Sequence, residues 1–310
     1  MSSEREDQIK THQEYAKLTT ELPKVSGWWQ QHMYLYQGYW FSPDALLVAP
    51  TWLRALMFSI LNRSHYDFFS NHPLLLQGPH GCFPNFEAHV SEDYPMTNMD
   101  TLPSPRLFAT HFAHSLFPSS VLDPSSGSKF VYVCRDPKDV LVSKYHFLKK
   151  FRSKELPYLS FNEAFELFCE GVSEYGPYWD HVLGFWKASL ESPDKILFLK
   201  YEEIKKEPHV HVKKLAVFMG VPISVKEEEN GVVEKIVNFC SFENLKSLEV
   251  NKNGIQKFGS KVELENRHFF RKGEVGDWEN HLTKEMRDRI DRITEDKFKN
   301  SGLTIGTVPK

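Results

Sequence analysis

The sequence has few cysteines and no long apolar run. Its four cysteines stand far apart, at positions 82, 134, 169 and 240, and form no Cys-x-x-Cys pair. This spacing favours reduced thiols over a disulfide framework or a zinc site, and we expect no bound metal. No apolar run approaches membrane-spanning length, and the opening MSSEREDQIK lacks the apolar core of a signal peptide. We therefore expect a cytoplasmic protein with no membrane partner.

An excess of charge of either sign is also missing. The 38 Lys and Arg residues nearly balance the 41 Asp and Glu residues, for a net charge of −3. We expect no nucleic-acid partner, so any anion site must be local. No linker rich in Pro, Gly or Ser divides the 310 residues, of which 41% are hydrophobic. The sequence predicts a flexible tail over residues 1–24 and a single domain over residues 25–310.

Short apolar runs alternate with stretches of helical periodicity along the chain. The runs that predict buried strands cover residues 44–49, 106–111, 130–134 and 195–201. The helical stretches cover residues 51–63, 137–148, 160–171, 177–192, 209–220, 231–250 and 283–300. This alternation predicts an α/β fold with a mainly parallel sheet and helices on both faces.

One junction between a strand and a helix has the features of an anion site. The apolar run 130–134 leads through Arg135 to Asp136 and Pro137, which suit the N-cap and the first position of a helix. Ligands of open α/β sheets bind at the carboxyl ends of strands, where a helix N-terminus favours an anion. Arg135 adds a bidentate donor. The alternative is an arginine that pairs with Asp136 or Asp139 on the surface.

The amino-acid sequences of two stretches resemble segments of a known protein family. YVCRDPKDVLVSKYHF closely resembles the 3′-phosphate-binding segment of cytosolic sulfotransferases, the plant, flavonol sulfotransferase-like type in particular. HFFRKGEVGDW resembles the same family's C-terminal signature. The resemblance covers residues 22–303 and implies a fold related to P-loop nucleotide kinases. It implies that Arg135, Ser143, Arg271, Lys272 and Gly273 hold the 3′-phosphate of PAPS (3′-phosphoadenylyl sulfate), the co-substrate.

The resemblance also implies groups around the adenine. Trp52, preceded by Thr51, matches the family's adenine-stacking tryptophan, and Tyr201 matches a tyrosine at the adenine end. Ser241 and Phe242 match a short adenine-side segment. A tyrosine at the end of a strand, taken without the resemblance, is commonly just half-buried.

His111 ends the predicted strand 106–111 and matches the histidine of the family's Thr-His pair, which is its general base. Many members carry lysine before this pair, whereas this chain has Ala109. His80 lies in PHGCFPNFE, which resembles an acceptor-side segment of the family. His80 could be a ligand or a base, but a loop histidine of this kind is usually solvated, and that is our expectation.

The chain departs from the family at the phosphate loop. The family joins its first strand and helix by Tyr-Pro-Lys-Ser-Gly-Thr-Thr-Trp, whereas this chain runs from Ala49 through Pro50 directly to Thr51 and Trp52. Roughly six residues are absent by this comparison. In such a loop, glycine lets successive backbone N–H groups point at one phosphate while the lysine reaches a bridging oxygen. The junction between Ala49 and Thr51 contains neither residue.

Three functions therefore stay open. The first is a sulfotransferase that uses PAPS to sulfonate a hydroxyl of a small organic acceptor, such as a flavonoid, a steroid-like compound or another plant metabolite. The second is a pseudoenzyme that binds PAP (the desulfo product nucleotide) or an acceptor. The third is a defective gene product that does not fold stably. A phosphotransferase would need the same missing loop. Only Thr283 survives of the family's dimer motif, so we expect a monomer.

Overall fold

The computed structural model describes residues 21–42, 51–82, 85–86, 104–258 and 262–306. The predicted strand 44–49 and the short junction at Pro50 lie outside these described residues, as does most of the predicted tail. Near its start the chain forms a small antiparallel sheet of β1 (Lys24–Ser26), β2 (His32–Tyr36) and β3 (Tyr39–Phe41), in that order. A tight turn joins β2 to β3, with both Gln37 and Gly38 at positive φ.

A parallel strand pair lies at the centre of the fold. β4 (Phe130–Cys134) and β5 (Ile196–Lys200) pair in register from Phe130 beside Ile196 to Cys134 beside Lys200. A hairpin of β6 (Ile255–Phe258) and β7 (Val262–Glu265) follows near the C-terminus. The parallel pair between helices confirms the predicted α/β class.

Among the described residues, the predicted strand 106–111 makes a single parallel bridge, between Ala109 and Asn85. The chain turns immediately afterwards, because the Thr110 hydroxyl accepts a hydrogen bond of 3.0 Å from the Phe112 amide. Such a local turn competes with a strand ladder for the backbone groups.

The helices, in chain order, cover the faces and ends of the central strands. They are α1 (Thr51–Asn62), α2 (Gly78–Cys82), α3 (Ser119–Leu122), α4 (Pro137–Leu148), α5 (Phe161–Cys169), α6 (Tyr178–Glu191), α7 (Tyr201–Lys206), α8 (Pro208–Phe218), α9 (Val225–Glu229), α10 (Val232–Phe239), α11 (Phe242–Ser247), α12 (Glu249–Asn253) and α13 (Lys284–Phe298). Local signals begin several of them: Asp136 caps α4 before Pro137, and Ser160 forms a capping box with Glu163 at α5.

Two hydrophobic clusters lie on opposite faces of the central strands. Leu197 and Leu199 of β5 pack with α1, α8 and α10. The intervening Phe198 faces the other cluster, to which α4, α5, α6 and α13 contribute. Because side chains alternate along a strand, this arrangement gives each face its own helical cover. None of the helices in the described part of the chain is long and apolar enough to cross a membrane.

The single helix predicted over residues 231–250 is instead three short helices, α10, α11 and α12. The first break falls at Ser241, whose side chain accepts a hydrogen bond from the Asn244 amide and so begins α11 as its N-cap. The second falls at Leu248, which is extended with φ −64° and ψ 138°. Serine competes for backbone N–H groups in this way, which a count of apolar spacing does not register.

Candidate active site

A cavity of about 1220 Å³ opens at the carboxyl ends of β4 and β5. Arg135 follows β4 and Tyr201 follows β5, and both side chains line the cavity. The start of α1, the segment around His111 and the loop at residues 271–273 complete its wall. Because parallel strands end at the same edge, the sheet brings these distant segments together.

Arg135 is held from three sides. Its Nη2 atom donates a hydrogen bond of 3.0 Å to Asp139 and another to the backbone oxygen of Glu274. Its guanidinium carbon lies 4.7 Å from the centre of the Tyr201 ring. The predicted alternative, an ion pair with Asp139, is therefore present. That pair is not a surface pair, because the Asp139 side chain is fully buried.

Asp139 also connects α4 to the C-terminal loop. Its carboxylate accepts hydrogen bonds from the backbone amides of Gly276, at 2.9 Å, and Trp278, at 3.1 Å. Together with the bond from Arg135, these contacts fix the loop over the strand–helix junction. A buried carboxylate needs such a set of donors, because an unpaired charge away from water is costly.

Arg271 and Lys272 converge on a second buried carboxylate. Arg271 Nη1 and Lys272 Nζ each lie 2.5 Å from an oxygen of Asp277, whose side chain has no exposed surface. Burial alone would raise the pKa of Asp277, but the hydrogen bonds from Lys272 and Arg271 outweigh it and hold the pKa well below its usual range. The two cations are thus held side by side at the cavity wall.

Gly273 packs where no side chain would fit. Its φ is +69°, and a Cβ atom there would lie 2.4 Å from Cδ2 of Phe242. Its carbonyl accepts a hydrogen bond of 3.1 Å from the Tyr201 hydroxyl. Glycine is required here both by the backbone conformation and by the close approach of the Phe242 ring.

His111 lies on the other side of the cavity in a defined setting. Its ring stacks on Tyr175, with centroids 4.8 Å apart. Its backbone oxygen lies 2.8 Å from Nε2 of His181, and the Tyr132 hydroxyl lies 2.9 Å from Nδ1 of His181. A carbonyl can only accept, so His181 donates from Nε2 and accepts at Nδ1. Burial lowers the pKa of His181 to about 4, which agrees with this neutral form.

The first turn of α1 meets a buried histidine. Thr51 Oγ1 lies 2.9 Å from Nε2 of His80, whose ring stacks on Phe269 at a centroid distance of 3.8 Å. The expectation that His80 is solvated was wrong, since only 8% of it is exposed. Burial, together with the nearby charges of Arg54 and His111, holds the pKa of His80 well below its usual range.

The sequence model of a protein family, the sulfotransferase domain, matches residues 50–302 of this chain. The chain is a member of the sulfotransferase family. Cytosolic sulfotransferase 16 of Arabidopsis thaliana is 42% identical, over 95% of this chain and 93% of its own length. Flavonol 3-sulfotransferase of Flaveria bidentis is 46% identical, over 82% of this chain and 80% of its own length. The resemblance to plant cytosolic and flavonol sulfotransferases is thereby confirmed.

Solved sulfotransferase structures share the fold. A putative steroid sulphotransferase of Arabidopsis thaliana matches with a TM-score of 0.70 and 35% identity, over 94% of each chain. A mouse sulfotransferase, solved as a complex with PAP, matches with a TM-score of 0.60 and 24% identity, over 86% of this chain and 95% of that one. The predicted sulfotransferase fold is confirmed by these matches.

Ten of the eleven site residues that the sulfotransferase resemblance implies line the one cavity: Thr51, Trp52, His111, Arg135, Ser143, Tyr201, Phe242, Arg271, Lys272 and Gly273. Ser241 is not among the residues that line it, and its hydroxyl accepts from the Asn244 amide at the start of α11. The role of each residue in binding or catalysis stays a prediction.

Sequence reasoning missed the groups behind this sulfotransferase site. Asp277 lies in the GDW part of the C-terminal signature, yet the sequence does not show that it is buried beside two cations. The αL conformation of Tyr175, with φ 59°, has no sequence signal, because non-glycine residues seldom adopt it. His181 stood inside a predicted helix with no neighbouring motif to single it out.

Proposed function

We propose that this sulfotransferase binds PAPS and transfers its sulfuryl group to a hydroxyl of a small organic acceptor. The observation that carries the proposal is the cluster of Arg135, Arg271 and Lys272, held at the cavity wall by the buried carboxylates of Asp139 and Asp277. A set of fixed cations at the carboxyl edge of a parallel sheet suits a phosphate group.

The residues present fit a 3′-phosphate. Three cations against two carboxylates leave a net positive charge to meet the anion. Within the described residues, the buried Nε of Arg135 makes no hydrogen bond and so keeps a donor without an acceptor. The missing side chain of Gly273 leaves its backbone close to Phe242 and Tyr201. The PAP bound to the mouse relative supports the same class of nucleotide here.

His111 would act on the acceptor. As the acceptor oxygen attacks the sulfur atom, His111 takes the hydroxyl proton, and PAP leaves with the electron pair of the broken S–O bond. The stack on Tyr175 orients the His111 ring, and the hydrogen bond from His181 holds the His111 backbone oxygen. Orientation of this kind contributes to rate because the reacting atoms must be aligned.

A second candidate, a pseudoenzyme that binds PAP without efficient transfer, is favoured by the sequence before Thr51. Pro50 precedes Thr51 directly, so the lysine and glycine of the family's loop are absent. Removing one donor that stabilises developing charge costs about 2.7–4 kcal/mol, or roughly 100–1,000-fold in rate. Such a pseudoenzyme would bind PAP measurably and give no detectable transfer.

Two measurements test the proposal on the unmodified chain. Calorimetry with PAP should detect binding, and a radiolabelled sulfuryl-transfer assay should show slow transfer to a flavonol. Binding with no transfer would select the pseudoenzyme. A chain that neither binds PAP nor melts cooperatively would select the defective gene product, and resequencing the transcript across residues 48–52 would then be decisive.

The acceptor, compartment and assembly belong to this proposal. Relatives named for flavonols, and the aromatic rings of Phe86, Phe108 and Tyr175 in the cavity wall, support a flat apolar acceptor. Relatives named as cytosolic support a location in the cytosol.

We propose a monomer, since Lys284 replaces the valine of the dimer motif. Light scattering at micromolar concentration should give the mass of one chain, and a stable dimer would contradict this.

A further inference from the structure

A lysine just beyond the end of α4 belongs to the cavity wall. Ser143, Phe147 and Lys150 follow one another at spacings of four and three residues, which places them on one side of a helix. α4 ends at Leu148, and the Lys150 amide extends its last turn by donating a hydrogen bond of 3.0 Å to the Phe147 carbonyl. All three residues of this series line the cavity.

The segment that leads to Arg271 packs against this end of α4. On one side of the lysine in the sequence, the Phe147 ring stacks on Phe269, with centroids 5.8 Å apart. On the other side, the Phe151 ring meets His268 edge-on at 6.3 Å. Arg271 follows this segment directly and lines the same cavity. The two ring contacts therefore bring the lysine and Arg271 to one part of the wall.

Lys150 is a cation without an acidic partner in the described part of the chain. Its side chain is exposed, and its Nζ makes no hydrogen bond or ion pair there. Burial, followed by the positive charges of Arg271 and Arg267, lowers the pKa of Lys150. The neighbouring carboxylates are engaged by other groups, Asp277 by Arg271 and Glu265 by Arg267. The Lys150 charge is therefore available to an anion in the cavity.

Arg271 keeps a donor in the same place. Its Nη1 contacts Asp277, whereas its buried Nε makes no hydrogen bond among the residues that the structure describes. Two like charges, Arg271 and Lys150, thus face one part of the cavity, and an anion between them would relieve their repulsion. A phosphate monoester suits this position, because it carries about two negative charges and three acceptor oxygens.

We propose that Lys150 is a further binding residue for the 3′-phosphate of the nucleotide, acting together with Arg271. The inference rests on the proposed function and adds a residue that the family resemblance does not imply. A doubly charged group is attracted by every cation around it, including one beyond hydrogen-bond distance. Lys150 would therefore favour nucleotides that carry a 3′-phosphate over those that do not.

Two nucleotides isolate the 3′-phosphate. PAP and adenosine 5′-monophosphate differ only in this group, and calorimetry on the full chain at low ionic strength measures both without any need for turnover. Even in water, a unit charge about 8 Å from a doubly charged phosphate corresponds to roughly fivefold in affinity. Lys150→Met should lower PAP affinity by about three- to tenfold and keep the affinity for adenosine 5′-monophosphate within about twofold. The PAP effect should shrink to within about twofold at about 0.5 M salt.

The adjacent lysine supplies a matched control. Lys149 is also exposed, but its Nζ lies 3.2 Å from the Tyr158 hydroxyl, and it lines a separate small pocket instead of the cavity. Lys149→Met removes the same charge one position away and should leave the ratio of the two affinities unchanged. Lys150→Arg keeps the charge and should also keep the ratio. Melting temperatures establish that all three variants are folded.

Two results would overturn the assignment. Equal losses of PAP affinity in Lys150→Met and Lys149→Met would show an effect of net charge alone. An unchanged ratio of the two affinities in folded Lys150→Met would show that Lys150 does not act on the 3′-phosphate. Failure of PAP to bind the unmodified chain is a separate outcome, which contradicts the proposed function and is established before any variant is compared.

Discussion

The two ends of the proposed nucleotide site differ in how they are built. At the proposed 3′-phosphate end, each cation contacts a buried carboxylate, with Arg135 on Asp139 and both Arg271 and Lys272 on Asp277. At the 5′ end, α1 begins at Thr51 with no loop lysine or glycine before it. Only groups that act on the developing charge accelerate transfer, so we expect nucleotide binding and catalysis to be separable in this chain.

Restoring the phosphate loop should give the largest change in the rate of transfer. Replacing Pro50 by Ser-Tyr-Pro-Lys-Ser-Gly-Thr returns a lysine and at least one backbone amide, each worth about 100–1,000-fold in rate. We expect transfer to rise by more than roughly 10,000-fold, while PAP affinity changes far less. Turnover and calorimetry before and after the insertion measure both. An unmodified chain that already turns over as fast would show that another cation replaces the loop.

In the repaired chain, His111→Ala should reduce transfer by about 100–10,000-fold, because the acceptor proton loses its base. PAP affinity should stay nearly unchanged, since the proposed role of His111 is on the acceptor. Steady-state assays and calorimetry on the same preparation separate the two effects. Undiminished turnover would remove His111 from the mechanism, and a matching loss of PAP affinity would place it on the nucleotide instead.

Lys272→Met tests the proposed 3′-phosphate end by removing one of its cations. A charge-assisted hydrogen bond contributes about 1.5–3 kcal/mol, so PAP affinity should fall by roughly 10- to 150-fold. Adenosine 5′-monophosphate, which lacks the 3′-phosphate, should bind the variant and the unmodified chain alike. Lys214→Met, an exposed lysine on α8, serves as the control. Equal losses for both nucleotides would mean that Lys272 does not contact the 3′-phosphate.

The smallest expected effect concerns stability on the His111 side. His181 has a pKa of about 4 when folded, mainly because it is buried. An unfolded histidine titrates near 6.5, so the unfolded state binds more protons between these values and stability falls as pH falls. Between pH 7 and pH 5, this one group should remove about 2 kcal/mol from the free energy of unfolding.

His181→Gln should remove that contribution while keeping an amide donor for the His111 carbonyl. Urea unfolding at pH 7 and pH 5 compares the two proteins, and groups that titrate elsewhere contribute equally to both. A pH dependence as steep in His181→Gln as in the unmodified chain would show that folding does not lower the pKa of His181.

The sequence alone determined the features that depend on neighbouring residues. The caps of α4 and α5 use side chains within three positions of the backbone groups they satisfy, so local spacing predicts them. The α/β class and the place of Arg135 after β4 follow from the same short-range pattern. The same reasoning failed at Ser241 and Thr110, where a hydroxyl bonded to a nearby backbone amide ended the predicted element.

Only the tertiary structure determined which residues contact and support those of the site. His181 is 70 residues from the carbonyl it contacts, and Arg135 is 139 residues from the Glu274 oxygen it binds. Burial of Asp277 beside Arg271 and Lys272 depends on which segments meet at the strand ends. The interaction energy of a charge depends on its burial and on its partners. Residues far apart in sequence supply those surroundings, and they come together only when the chain folds.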